Sequence, residues 1–151
     1  MPRVANEHGA CDAPEGWIEL TGLGARAPGS PEGEAVRASL VLTGDTRAAG
    51  VSMRAYIDAQ QAALAGLLAG WRPIDEATPE VEPGPAVLRY CFQPPDDPWV
   101  VQFQAYWFFG ERVAIVTVTA PASEANEAWA TFSQAISSYA APSPSAAVRR
   151  P

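Results

Sequence analysis

Catalytic chemistry has few places to start in this chain. One histidine, His8, and two cysteines, Cys11 and Cys91, are the whole supply of imidazole and thiol in 151 residues. A zinc site needs four converging nitrogen or sulfur ligands, or three and a water, and a Ser-His-Asp or Cys-His arrangement would have to use His8 as its base. His8 lies in a polar N-terminal stretch, and the cysteines are separated by most of the chain, so neither chemistry is expected. Asp96 with Asp97, and Glu80 with Glu82, are paired carboxylates, but they sit among prolines in turns, where charge usually faces water. Gly22, Leu23 and Gly24 begin like a nucleotide-binding loop; Ala27 stands where the third glycine belongs, and no helix follows. No catalytic residue, metal ligand or cofactor is assigned.

Uncharged amides are the stronger lead. In the run 99–109, Trp99, Val101, Phe103, Ala105, Trp107 and Phe109 alternate with Val100, Gln102, Gln104, Tyr106 and Phe108. That is the two-residue period of a strand. The first set is apolar throughout and is expected to lie under the helices. The second is neither a charged, solvated face nor a core. Apolar and aromatic side chains interleaved with amides suit a surface that accepts a mostly apolar partner and offers it hydrogen bonds. The other reading is an edge or lightly covered face whose amides simply meet water. Gln60 poses the same choice: it stands in an apolar helical stripe, where an amide either satisfies itself on nearby backbone or binds something.

Several elements must position these amides. Residues 36–43 alternate as a strand that Gly44 and Asp45 end, Ser52 is placed to cap a helix, and 52–70 form that helix, closed by Gly70 and Trp71. Stepping about 100° per residue from Met53, the side chains of Tyr56, Ile57, Leu64, Leu67, Leu68 and Trp71 fall within roughly 60° of it, with Gln60 near the middle. Residues 74–85 read as an acidic loop whose Pro79, Pro83 and Pro85 forbid a central strand. Residues 86–93, 99–109 and 112–119 are three strands joined by tight turns, a β-meander. The first of these offers either Ala86, Leu88, Tyr90 and Phe92 or Arg89, Cys91 and Gln93 to the amide face, depending on register. A last helix, 123–139, gathers Ala125, Trp129, Phe132, Ile136 and Tyr139 on one side. The expected fold is α+β, an antiparallel sheet with a long helix and a C-terminal helix packed on it.

Length and charge bound the rest. A chain of 151 residues with 48% hydrophobic residues is enough for one domain with its own core, here 14–140, flanked by 1–13 and 141–151 as disordered tails. The net charge is −7, and all ten basic residues are arginine, without a basic run, which argues against gripping nucleic acid or anionic lipid. No window approaches the ~20 apolar residues of a membrane span, so direct insertion is not expected. Residues 1–13 are polar and unlike a secretory signal, which makes the cytoplasm the expected location and the cysteines reduced thiols.

The arrangement resembles a known family. Pro14, Gly16 and Trp17, the strand ending near Leu42, the helix with Tyr56, Gln60 and Leu64, the glutamine-bearing strand before Gly110, the segment 110–120, and the closing helix with Phe132 and Ile136 look like the DcrB-like proteins of the PsbP-like superfamily. The likeness covers roughly residues 13–139, and within that group the chain is most similar to the Eag chaperones of type VI secretion. What the resemblance implies is a small dimeric α+β protein that cradles the hydrophobic N-terminal helices of a secreted effector against its sheet. Gln60 and Gln102 then match the amides that bond those helices, with Leu64, Val41 and Tyr106 in the apolar surround; Gln104 and Phe108, from the same strand face, complete the expected partner-binding set.

The expectation is therefore a non-enzymatic cytoplasmic chaperone or adaptor acting as a homodimer. The alternative is a small-molecule or lipid binding module of the same superfamily. A hydrolytic enzyme would need His8 or a carboxylate pair in a cleft.

Overall fold

Strand alternation carries most of the architecture. The structure is a computed structural model that describes residues 2–20, 24–28 and 37–142. Its strands are β1 (Arg3–Asn6), β2 (Gly9–Asp12), β3 (Ile18–Leu20), β4 (Gly24–Arg26), β5 (Ser39–Thr46), β6 (Arg72–Ala77), β7 (Ala86–Phe92), β8 (Val100–Phe109) and β9 (Arg112–Pro121). Helix α1 (Met53–Leu67) joins β5 to β6, and α2 (Ala125–Ser138) follows β9 after a single 3-10 turn. Strands β3 to β9 form one antiparallel sheet in the order β3-β4-β5-β9-β8-β7-β6, and β1 and β2 pair separately. The α+β class read from the sequence is the observed one.

The two faces of the sheet are covered by different elements. On one, Phe103, Ala105, Trp107, Val116, Val118, Leu40 and Leu42 pack against Ala128, Phe132 and Ala135 of α2 and against Val4 and Cys11 of the β1–β2 hairpin. On the other, Leu88, Tyr90, Tyr106, Phe108, Val113 and Ile115 meet Met53, Tyr56 and Ile57 of α1. The expectation that the helices share the Phe103 face is thus corrected: α2 lies there, and α1 lies on the face that carries the glutamines. The sequence pattern of α1 contains an apolar stripe but no mark of which sheet face the stripe will meet.

Local signals explain the element ends. The Ser52 hydroxyl accepts the Ala55 N–H at 3.1 Å and caps α1. Gly70, at φ +66°, takes the left-handed turn that ends the helical segment. Gly110, at φ +64°, serves the two-residue turn between β8 and β9, which pair from Phe109–Arg112 onward.

Three further expectations change. Residues 1–13 are not a loose tail over the described stretch: β1 and β2 form a hairpin whose Cys11 and Val4 are buried, tied to the end of α2 by the Ala10–Ala140 backbone pair. Residues 74–77 of the loop expected at 74–85 belong to strand β6, Arg72–Ala77. Pro73 is tolerated because β6 is an edge strand with a register irregularity between Pro73 and Asp75. Strand β5 begins at Ser39 and runs on to Thr46, through the Gly44 and Asp45 expected to end the strand at 43; residue 36 of that expected strand lies outside the described residues. The C-terminal tail expected at 141–151 lies outside the described residues from 143 onward. No described helix is long and apolar enough to cross a membrane.

Candidate functional site

The glutamine face of β8 is divided by α1. The ring of Tyr56 stands edge-on to Tyr106 and Phe108, at 5.8 and 5.4 Å between centroids, so that end of the face is core. Tyr106 and Phe108, expected as part of the contact surface, are fully buried there and present nothing to a partner in this conformation. Arg47 closes this end, stacking over Phe108 and donating to the Gly110 carbonyl at 2.6 Å and to Glu82 Oε1 at 2.7 Å. Past Tyr106 toward Val100, Gln104 and Gln102 are half-buried.

Register lines these amides up with neighbours on both sides. One row across the sheet reads Leu88, Gln104, Thr117, Val41; the next reads Tyr90, Gln102, Thr119, Ser39. The Tyr90 hydroxyl donates to Gln102 Oε1 at 2.5 Å, and Gln102 Nε2 donates to Thr119 Oγ1 at 3.1 Å. In the adjacent row the Tyr106 hydroxyl donates to Gln104 Oε1, and Gln104 Nε2 donates to Thr117 Oγ1 at 3.2 Å. Gln60 reaches down from α1 and donates from Nε2 to the Tyr106 hydroxyl at 3.5 Å. Gln60 and Gln104 are thus joined through Tyr106, and Gln102 is held in a parallel network one row along.

The electrostatics keep these networks fixed. Burial pushes the Tyr106 phenol up to about 12 and raises Tyr90 as well, so both stay protonated and act as donors. Each glutamine in β8 therefore has its carbonyl turned to a tyrosine and its amino group to a threonine, leaving one N–H and one acceptor lone pair uncommitted. No side chain in the rows from Leu88 to Val41 and from Tyr90 to Ser39 is charged. Asp45, at the covered end, accepts the Tyr56 hydroxyl at 2.6 Å.

Apolar side chains border the amides. Val41 is half-buried on β5, and Leu64 is half-buried on α1 against the Tyr56 cluster. The α1 stripe fades along the helix: Met53, Tyr56 and Ile57 are buried, Gln60, Leu64 and Leu68 are half-covered, and Leu67, expected on the buried side, is exposed. Along the Gln102 row the sheet continues through Arg26 to Ile18, an exposed isoleucine. Near Tyr90, the indole N–H of Trp71 is buried without an acceptor among the described residues.

Gln60, Gln102, Gln104, Leu64 and Val41 of the sequence-derived set therefore border the half-covered part of one face. Of the two sets that β7 could offer to this face, the register selects the one with Leu88 and Tyr90; Thr117, Thr119 and Ser39 lie outside the sequence-derived set. The threonines do leave a trace, two polar residues at two-residue spacing within the apolar run 113–120, matching the glutamine spacing in β8. Only the β8–β9 register shows that they are partners.

His8 and the two cysteines lie apart from this face. The His8 carbonyl accepts the Tyr139 hydroxyl at 2.7 Å, and its ring lies on Gly44. Burial raises the Cys11 thiol to about 11, the condition of an unreactive core cysteine. Among the described residues no three His, Cys, Asp or Glu side chains gather as metal ligands.

Comparison with solved structures places this geometry in a shared fold. Two bacterial proteins are among the solved structures that share the fold. PA94 of Pseudomonas aeruginosa, a protein of unknown function proposed as a regulator, superposes with a TM-score of 0.65 at 20% identity, covering 95% of this chain and 98% of PA94. LpqN of Mycobacterium tuberculosis, involved in cell envelope biogenesis, gives 0.62 at 13% identity, with 87% and 82% covered. These likenesses establish the fold alone. No protein-family model and no curated protein matches the chain.

Proposed function

We propose that the chain is a non-enzymatic holding protein of the DcrB-like, PsbP-like kind, a cytoplasmic chaperone or adaptor. It would bind the hydrophobic N-terminal helices of a secreted, type VI-like effector on the glutamine face. The observation that carries this reading is the pair Gln102 and Gln104, half-buried and uncharged, each oriented by a tyrosine and a threonine and bordered by Val41 and Leu64. An apolar helix needs its lipid replaced by apolar contact. Pre-oriented amides add hydrogen-bond geometry without the desolvation cost of burying charge. The resemblance noted in the sequence supports the same partner class, and pairing of two copies would let two such faces enclose a helix.

The test is a solubility assay. A synthetic alanine- and leucine-rich helix of ~20 residues, a membrane-span length, is mixed with the protein or with its Gln60→Leu and Gln102→Leu variants and then centrifuged. Retention by the parent and its loss in folded variants is the expected result. Equal retention by all three, or none by the parent, overturns the proposal. Lipid that co-purifies with the parent and is displaced by no peptide favours the lipid-binding alternative.

A further inference from the structure

The half-covered part of the glutamine face is a strip that runs across the strands. On β8 it is two residues wide: Gln104 and Gln102 are half-buried, while Tyr106 and Val100, which follow them on the same face at either end, are buried. Across the sheet the Gln102 row continues through Thr119 and Ser39, both half-buried, to Arg26 of β4 and Ile18 of β3. Residues paired directly across an antiparallel sheet point to one face. Arg26 therefore stands on the side of Gln102, and its neighbour Ala25 is fully buried in the core on the other side. Three strand spacings of about 4.8 Å put Arg26 roughly 14 Å from Gln102 along the strip.

Charge complementarity decides what the far end of the strip takes. From β7 to β3, Arg26 is the one charged residue in the Gln102 and Gln104 rows, and it is exposed. Other arginines are engaged within the chain: Arg3, Arg47, Arg54 and Arg89 pair with carboxylates, Arg72 stacks on Trp99, and Arg112 donates to the Glu7 carbonyl. Arg26 has no such contact among the described residues. An apolar helix laid along the strip from Gln102 covers the approach to Arg26, and a guanidinium at the rim of an apolar contact loses hydration for nothing unless the partner brings a counter-charge. We propose that Arg26 determines which helices this face accepts: it selects an apolar helix with a carboxylate about nine residues, at 1.5 Å each, from the residue that meets Gln102. The guanidinium holds that carboxylate through paired N–H donors. Because nothing else in the two rows is charged, this contact also sets which end of the helix lies at β4. The inference rests on the helix-holding reading and names its partner more closely.

The experiment is a competition on the full chain. Alanine- and leucine-rich helices of ~20 residues carry glutamine, glutamate or lysine at one site, in the last turn for one set and in the first turn for another. Each set is offered in equal amounts, and the ratio held in the supernatant is read by mass spectrometry. In one of the two sets the parent is expected to enrich the glutamate helix over the glutamine helix about tenfold, the equivalent of ~1.4 kcal/mol, relative to Arg26→Gln; differences in peptide solubility cancel in that comparison. Arg26→Glu is expected to prefer the lysine helix of the same set. Both variants change an exposed side chain, and their circular dichroism should match the parent's. A glutamate preference that persists in Arg26→Gln, or none in either set, overturns the inference. Retention of the glutamine helix without any preference removes the role of Arg26 and leaves the helix-holding reading standing, whereas retention of no helix removes both.

Discussion

Tyr90 and Gln102 stand on neighbouring strands, directly across from each other, and the tyrosine hydroxyl donates to the glutamine carbonyl at 2.5 Å. Gln102 passes its own N–H to Thr119 at 3.1 Å. The amide is thereby fixed in one orientation before any partner arrives. Tyr90→Phe removes the donor and leaves the Gln102 carbonyl free to turn. A loss of about 1 kcal/mol in urea unfolding is expected, together with weaker retention of the apolar helix. Thr119→Val, which removes the partner of the amino group, is expected to act in the same direction. If Tyr90→Phe leaves both stability and retention at parental values, the hydrogen bond does not position the amide.

All four tyrosines donate from a buried or half-buried hydroxyl to a named acceptor: Tyr56 to Asp45, Tyr90 to Gln102, Tyr106 to Gln104 and Tyr139 to the His8 carbonyl. Burial is the main cause that raises each of them, Tyr106 and Tyr139 to about 12. A phenol whose folded pKa is raised contributes stability that is whole below its unfolded value of about 10 and is lost as pH rises through the folded value. The folded chain is expected to show no tyrosinate near pH 10, and tyrosinate absorbance should rise together with loss of the circular dichroism signal. A tyrosine that ionises while the fold is intact would contradict this burial.

The helices and the meander are legible because each carries an uninterrupted period: Tyr56, Ile57 and Leu64 for α1, Phe132 and Ile136 for α2, and the alternation through Gln102 and Gln104 for β8. Hairpin β1–β2 is not legible. Its strands have four residues each, and what holds them is docking of Val4 and Cys11 on a core made by residues far along the chain. Strand β6 is masked by Pro73 and its charges, which an edge tolerates and a central strand does not. Gln102 and Gln104 were visible as an anomaly on one face. Their tyrosine and threonine partners depend on register, and the burial of Tyr106 and Phe108 depends on where α1 lands, and neither is written in local periodicity.

Edge strand β6 is fastened by ion pairs, and these make an acid-side prediction. Asp75 is paired with Arg89, and Glu76 with Arg54 of α1. The arginine hydrogen bonds hold both carboxyls below their ordinary values. Depressed folded values mean stability that is present above the unfolded pKa, about 4, and is lost as pH falls through the folded value. Both pairs are partly exposed, so each contributes less than about 1 kcal/mol. The urea midpoint of Asp75→Asn/Glu76→Gln is expected to lie below the parent at pH 7 and to converge with it under acid conditions and at high salt. A gap that persists unchanged in acid would assign the loss to packing instead.

The fit of His8 on Gly44 supplies the last prediction. A Cβ added at Gly44 would stand 2.2 Å from Cε1 and Nδ1 of the imidazole, so either the ring or β5 must move. The backbone that carries the ring is anchored. The His8 N–H donates to Asn6 Oδ1 at 2.8 Å, the His8 carbonyl accepts from Tyr139 at 2.7 Å, and Asn6 Nδ2 donates to the Leu42 carbonyl at 2.9 Å. Gly44→Ala is therefore expected to cost about 1–3 kcal/mol, the range for overpacked sites. It should speed amide hydrogen exchange at Ala10 and Cys11 while leaving β7 and β8 protected, because the strain falls on the hairpin. His8→Ala clears the clash, so the double variant His8→Ala/Gly44→Ala should regain most of the stability lost by Gly44→Ala. Additive losses in the double-mutant cycle would show that the two residues are not in contact.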